Sequence, residues 1–349
     1  MRDRIYIENP VFNGNEKKYL DECIETGWVS DNGRFIDEFE KKFAAFCGTR
    51  YAISCSNGTV SLHLIMLGLG IGPGDEVIMP TLTYIATANA VRYCGATPVF
   101  VDSLEDTFNM DPSKIEAKIT PHTKAIMPVH LYGLSCDMDP IMKIADKYGI
   151  PVIEDAAEAH GAEYHRKKVG SFGLASSFSF FGNKIITCGE GGMVVTNNED
   201  LYQKMKLLKA QAISPQKKYW HVDVGYNYRM TNMQAAIGLA QLEKIDWHLA
   251  ERKRISQLYQ KFLQKYQNYF YMQKEPENCK HVYWMSNVIL QDPVYQERDD
   301  VMKKMEAFNI EMRPLLYPMH IMPPYYDENI SCPIAEKISS RGISLPSHA

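Results

Sequence analysis

The sequence predicts an α/β protein: a large unit with a mostly parallel sheet between helices, followed by a smaller C-terminal α+β unit. Three observations lead there. Short apolar runs alternate with helical stretches from Tyr51 to Thr196, one of those helices is apolar on nearly every face, and beyond Asn232 the alternation gives way to an amphipathic pattern. Parallel strands need crossover helices that pack back onto the sheet, and this alternation is how such units read in sequence.

The elements follow in order. Ala52-Ile53-Ser54-Cys55 is a strand, and residues 60–69 form the helix that is apolar all round and hence buried. Glu76-Val77-Ile78-Met79 is a strand and 83–94 a helix. Pro98-Val99-Phe100-Val101 is a strand, after which Asp111-Pro112 opens a helix with a cap and a proline at its first position. Ala125-Ile126-Met127-Pro128-Val129 is a strand, 139–148 a helix, and Pro151-Val152-Ile153 a strand again. Ile255, Leu258, Tyr259, Phe262, Leu263 and Tyr266 keep i, i+3, i+4, i+7 spacing, the mark of an amphipathic helix. It leads into the small unit, with Val282-Tyr283-Trp284-Met285 as one of its strands. The run from Gly68 to Gly74 has Pro73 where a dinucleotide loop needs its third glycine, and it follows a helix; it reads as a C-cap and turn.

Composition removes several function classes. The 349 residues suffice for more than one domain, and a net charge of −4 gives no electrostatic reason to expect nucleic acid. The basic runs at 165–168 and 251–254 read as solvated faces. Residues 1–6 carry no apolar leader, and the most apolar helix is too short for a bilayer, so the expectation is a soluble cytoplasmic protein without a membrane partner. Eight scattered cysteines, with no C-x-x-C and no His/Cys cluster at zinc spacing, point to free thiols and no metal; Cys188 reads as a core thiol.

The residues with chemistry lie at strand ends. Lys184 ends Ser179-Phe180-Phe181-Gly182-Asn183-Lys184 and precedes the turn Gly189-Glu190-Gly191-Gly192. A lysine in apolar surroundings loses proton affinity and becomes a nucleophile toward aldehydes. Asp155, in Glu154-Asp155-Ala156-Ala157-Glu158, follows an apolar strand, where a carboxylate can hold a protonated pyridine nitrogen or simply cap a helix. Ser56-Asn57-Gly58-Thr59 sits between a strand and the buried helix, the position at which free N–H groups bind phosphate. Tyr84 follows the next strand. Ligands in open α/β sheets bind at the carboxyl ends of strands, and Gly58, Tyr84 and Asp155 all fall there.

With Gly27-Trp28-Val29-Ser30 and Gly225-Tyr226-Asn227-Tyr228-Arg229-Met230 added, the chain resembles the DegT/DnrJ/EryC1/StrS family of pyridoxal-phosphate-dependent nucleotide-sugar aminotransferases, from about Gly14 to its last residue. The resemblance implies the type I aspartate-aminotransferase fold, with a large cofactor domain over 1–244 and a small domain over 245–349, the N-terminal segment packing on the latter. It implies that Lys184 bonds the cofactor pyridoxal 5'-phosphate, that Asp155 holds its ring nitrogen and Tyr84 stacks on the ring. Gly58, Thr59 and Ser179 would bind the phosphate, and Asn227 would reach the phosphate in a neighbouring subunit, making a homodimer with shared sites. Glu158 is a departure, since many members carry glutamine near the cofactor's phenolic oxygen.

Lys217-Lys218-Tyr219-Trp220-His221 and the stretch from Met312 to His320 resemble the GDP-perosamine synthases within that family. That implies L-glutamate as amino donor and a nucleotide-linked keto sugar as acceptor, with contacts from Trp28, Tyr219, His221, Arg229, Arg313, Tyr317 and His320. The other readings are a UDP- or dTDP-sugar aminotransferase, a dehydratase of the same fold, in which histidine replaces the lysine, and a non-catalytic regulator. Relatives continue past the last strand into a final helix, so a truncated C-terminus is also expected.

Overall fold

A computed structural model describes residues 3–294 and 298–348. Its central sheet has seven strands: β1 (Tyr51–Cys55), β2 (Glu76–Pro80), β3 (Thr97–Val101), β4 (Thr123–Ile126), β5 (Ile153–Asp155), β6 (Ala175–Ser179) and β7 (Gly192–Thr196). In space they run β1-β7-β6-β5-β4-β2-β3, with β5 joined to β4 through Ile126–Val152 and Val129–Asp155 bridges. Every neighbouring pair is parallel except those of β7, which runs against both β1 and β6. The sheet is thus the mostly parallel one expected.

The Gly58–Leu69 helix is buried along most of its length, as an all-apolar helix must be, and packs on β6 and β7. Gly70 ends it at φ 72°, a left-handed cap that supports the turn reading of the glycine run. The Glu199–Lys209 helix covers its other flank, and Arg34–Cys47 packs against Asn232–Leu242. A second sheet, of Phe270–Met272, Ser286–Leu290, Gly342–Leu345 and Arg313–Pro314, lies over its own apolar cluster of Val288, Leu290, Ile343 and Leu345. Residues 5–7 run beside it: Ile5 bridges Ile310, and Ser347 N–H donates to the Ile7 carbonyl at 3.0 Å. Met1, Arg2 and Ala349, on which the leader and truncation expectations partly rest, lie outside the described residues.

Four local expectations are corrected. Asp111 does cap, accepting from Ser113 N–H at 2.9 Å, but only two short 3-10 turns follow, at Pro112–Lys114 and Glu116–Lys118. The stretch is confined between Pro112 and Pro121, too short to repay helix nucleation. Val282-Tyr283-Trp284-Met285 is no strand: Tyr283 turns left-handed at φ 52°, and Val282 and Trp284 donate to the carbonyls of Gly133 and Tyr132, each at 3.0 Å. The ladder starts one residue later, at Ser286. The amphipathic helix spans Ile245–Leu263, yet its buried face carries Ile245, His248, Arg252 and Ser256, while Leu258 and Phe262 are exposed. Arg252, read as part of a solvated run, is buried because Glu8 pairs with its guanidinium.

Among the described residues no helix is long and apolar enough to cross a membrane, and no group of three or more metal-ligating side chains occurs. The eight cysteines are unpaired, and burial pushes the Cys188 thiol far up.

Candidate active site

β5 and β6 deliver the central groups side by side. Asp155 ends β5 opposite Ser177 of β6, and two residues later Ser179 ends β6 and turns the chain into the loop holding Lys184. Lys184 N–H donates to the Phe181 carbonyl at 2.9 Å, which folds the loop back so that the side chain enters the interior. Its Nζ lies 3.8 Å from Glu158 Oε1 and 3.8 Å from the centre of the Trp284 ring. Burial lowers the proton affinity of the amine, and the charges of Glu158 and Asp155 oppose that.

Two adjacent carboxylates show what this crevice asks for. Burial alone would raise Glu154, but His130 Nε2 at 3.0 Å and the amides of Gly170, Phe172 and Gly173 hold it below its ordinary value. Asp155 is as enclosed, yet takes only the Thr87 hydroxyl at 2.8 Å and the Ala157 amide at 3.1 Å, so burial wins and its carboxyl is pushed up. A buried carboxylate with neutral partners gains most from a cation brought within reach. Glu158 is also raised, to about 7, by burial against the pull of Lys184; Tyr132 N–H donates to its Oε2 at 2.7 Å.

The anion cradle is a matter of space. Asn57 caps the Gly58–Leu69 helix, its side chain accepting from Val60 N–H and its carbonyl from Ser61 N–H, which leaves the amides of Gly58 and Thr59 to a ligand. A Cβ on Gly58 would come within 2.8 Å of the Ser179 Cβ, so the Ser179 hydroxyl and this helix start lie against each other. Tyr84 stands at the head of the Ile85–Tyr93 helix, one turn before Thr87, and is 59% exposed.

The remaining expected contacts are spread wider. Asn227 is exposed beside Ala210, to which it is bridged. Tyr219 and Trp220 project into solvent, and His221 Nδ1 lies 2.7 Å from the Gln211 carbonyl. Arg229 pairs with Asp31 at 2.6 Å, and Trp28 is exposed with its carbonyl accepting from Asn232 at 2.7 Å. Arg313 is an exposed surface group paired with Glu311, and Tyr317 is half exposed. His320 is buried with both ring nitrogens engaged, by Thr81 at 2.7 Å and Glu336 at 3.1 Å. Thr87, Tyr132 and Trp284 were not singled out from the sequence. Their roles depend on contacts across the fold, and only the aromatic run 282–285 marked one of them.

A buried lysine, the carboxylates of Glu154, Asp155 and Glu158, and two helix-start amides thus gather at the carboxyl ends of neighbouring strands. The profile of the DegT/DnrJ/EryC1/StrS aminotransferase family matches residues 11–349. The chain belongs to that family. A GDP-perosamine synthase from Caulobacter vibrioides is 54% identical over 347 residues, 99% of this chain and 94% of that protein. Another from Escherichia coli O157:H7 is 48% identical over 343 residues, covering 98% and 93%. The fold matches S. venezuelae DesV, solved in complex with a ketimine intermediate, at a TM-score of 0.89 and 34% identity, covering 96% of this chain and 89% of that one. The type I fold and an aminotransferase activity follow from this family membership.

Proposed function

We propose that the protein transfers an amino group from L-glutamate to C4 of GDP-4-keto-6-deoxy-D-mannose, giving GDP-perosamine and 2-oxoglutarate for surface polysaccharide. The observation that carries this reading is the 54% identity to a GDP-perosamine synthase along 99% of the chain. The intact Lys184–Glu158–Asp155 crevice supports the chemistry.

The donor set fits pyridoxal phosphate: a buried carboxylate with neutral partners, a lysine of lowered proton affinity, and two helix-start amides beside a serine hydroxyl. When bound, that group supplies an aldehyde that bonds amines reversibly and a protonated ring that accepts an electron pair from an adjacent carbon. Asp155 would keep the ring nitrogen protonated, Gly58, Thr59 and Ser179 would hold the phosphate, and Tyr84 would cover the ring. The Lys184 amine would hold the group through its aldehyde and, when free, would move the proton as general acid and base. Glutamate is used and 2-oxoglutarate leaves before the keto sugar enters, so the kinetics are ping-pong.

The proposal extends to a cytoplasmic homodimer in which Asn227 reaches the second copy's cofactor, and to a division into domains at 244/245, supported by the separate cluster under the C-terminal sheet. It includes Trp28, Tyr219, His221, Arg229, Arg313 and Tyr317 as the acceptor-facing set, with His320 acting from behind through Thr81. The test is a mass-spectrometric assay with glutamate and a panel of GDP-, UDP- and dTDP-linked 4-keto-6-deoxy sugars. Polar groups left unpaired by the wrong nucleotide discriminate by ~10⁴-fold, so the GDP sugar should lead in kcat/KM by that order. A preference for a UDP- or dTDP-linked sugar overturns the substrate and leaves the aminotransferase standing.

A further inference from the structure

We propose that Trp284 is a positioning residue for Lys184: its ring face is where the freed amine rests as a cation once it has taken up the proton it is to deliver. The proposal rests on the role given to Lys184 above.

The geometry is a cation over a ring, with Nζ 3.8 Å from the ring centre. The ring is fixed on several sides. Its Nε1–H donates to the Asn183 carbonyl at 2.6 Å, the residue just before Lys184, so ring and lysine belong to one rigid unit. Its face is stacked against Tyr132, 6.1 Å between centres and 16° between planes. The Trp284 amide donates to the Tyr132 carbonyl, and the Trp284 carbonyl accepts from Arg252 Nη1 at 2.7 Å. Tyr132 N–H also holds Glu158, so the ring and the carboxylate that flank the amine hang on one residue.

The chemistry explains why such a surface is useful. An amine set free in mid-reaction must stay close without pairing with Asp155, whose charge the ring nitrogen needs. It must also keep the proton it is to deliver. A carboxylate would hold the amine by accepting that proton in a hydrogen bond. An indole face attracts the charge without accepting an N–H, so beside the 3.8 Å ion pair with Glu158 it helps hold the amine without drawing on its protons. The ionisable groups facing the amine are Glu158 and Asp155, with Glu8 farther off beside Arg252. His160, packed on Phe43, Phe178 and Phe180, is neutral because burial pushes it down to about 3.

The test varies the ring's electrons and leaves its size nearly constant. Mono-, di- and trifluorinated tryptophans are incorporated at position 284 alone, and the titration midpoint of Lys184 is read in cofactor-free protein by competitive acetylation and mass spectrometry. The midpoint should fall stepwise, by roughly one pH unit in all, a tenfold loss of proton affinity. In the holoenzyme kcat should fall along the same series with KM for the keto sugar unchanged, and Trp284→Phe should keep more activity than Trp284→Leu. An unchanged midpoint, or an unchanged kcat across the series, overturns the proposal. Borohydride labelling of Lys184 tests the cofactor assignment separately, so failure of one is not mistaken for failure of the other.

Discussion

The crevice around Lys184 and the face that carries Tyr219, Trp220, Val224 and Asn227 are built on opposite plans. In the crevice Asp155 and Glu158 are each only 4% exposed, and the contacts that fix them come from the same chain. On the other face Tyr219 is 78% and Val224 80% exposed, with Ile213, Trp220 and Val222 also open. Large exposed apolar side chains gathered into the short stretch 219–224 are what a contact with the proposed second copy would cover. The difference teaches where each part of the proposed function would draw its groups: the proton chemistry from contacts within one chain, and recognition from a face open to the proposed second copy.

The sharpest way to break the comparison is at its closed end. Lys184→Ala should abolish turnover, and borohydride reduction of the cofactor-loaded wild type should label Lys184; a label on another lysine would sink the assignment. Asp155→Asn should fold normally and lose activity. A charge-assisted hydrogen bond is worth about 1.5–3 kcal/mol, so the loss should be about tenfold to a hundredfold at least. A variant as active as the wild type would reduce Asp155 to a cap.

At the open end, Lys184→Ala chains mixed with Asn227→Ala chains should recover activity after subunit exchange, because one combination restores a whole site. No recovery under verified exchange means each site is complete within one chain. A further prediction concerns Glu158 in the cofactor-free protein. Its folded value of about 7 lies above the ordinary 4.5, so the folded cofactor-free protein binds the extra proton and the unfolded chain does not. Stability from this group is therefore highest below pH 4.5 and falls as pH rises to about 7, by up to ~3 kcal/mol. Chemical denaturation across that window should show the slope in wild type and a flatter line in Glu158→Gln; parallel lines refute it.

The sequence made the closed half far more legible than the open half. Five of the seven sheet strands and the buried helix could be read from their apolar runs, but not β6, whose five residues include three serines, nor β7; Gly58, Asp155 and Lys184 could be read because each lies in a short local motif at or just beyond a strand end. Thr87 and Trp284 escaped notice because their roles arise from contacts with Asp155 and Lys184 made far along the chain. Arg252 misled for the same reason: only the distant Glu8 turns a residue of a charged surface run into a buried one. His320 carries no local sign that Thr81 and Glu336 occupy both its nitrogens.

The antiparallel strand β7 has a consequence for the order in which this molecule assembles. β1 reaches the sheet only through β7, pairing from Tyr51–Thr196 to Cys55–Gly192, so the first strand made must wait for the last. Gly192 also presses on Asn57, where a Cβ would lie 2.2 Å from its carbonyl oxygen. The proposed phosphate cradle at Gly58 and Ser179 would therefore be completed only once β7 has been made. Such non-local pairing is slow to form. Capture of the cofactor would come as the closing event of folding, and a ribosome-bound fragment ending before Gly192 should be blind to pyridoxal phosphate.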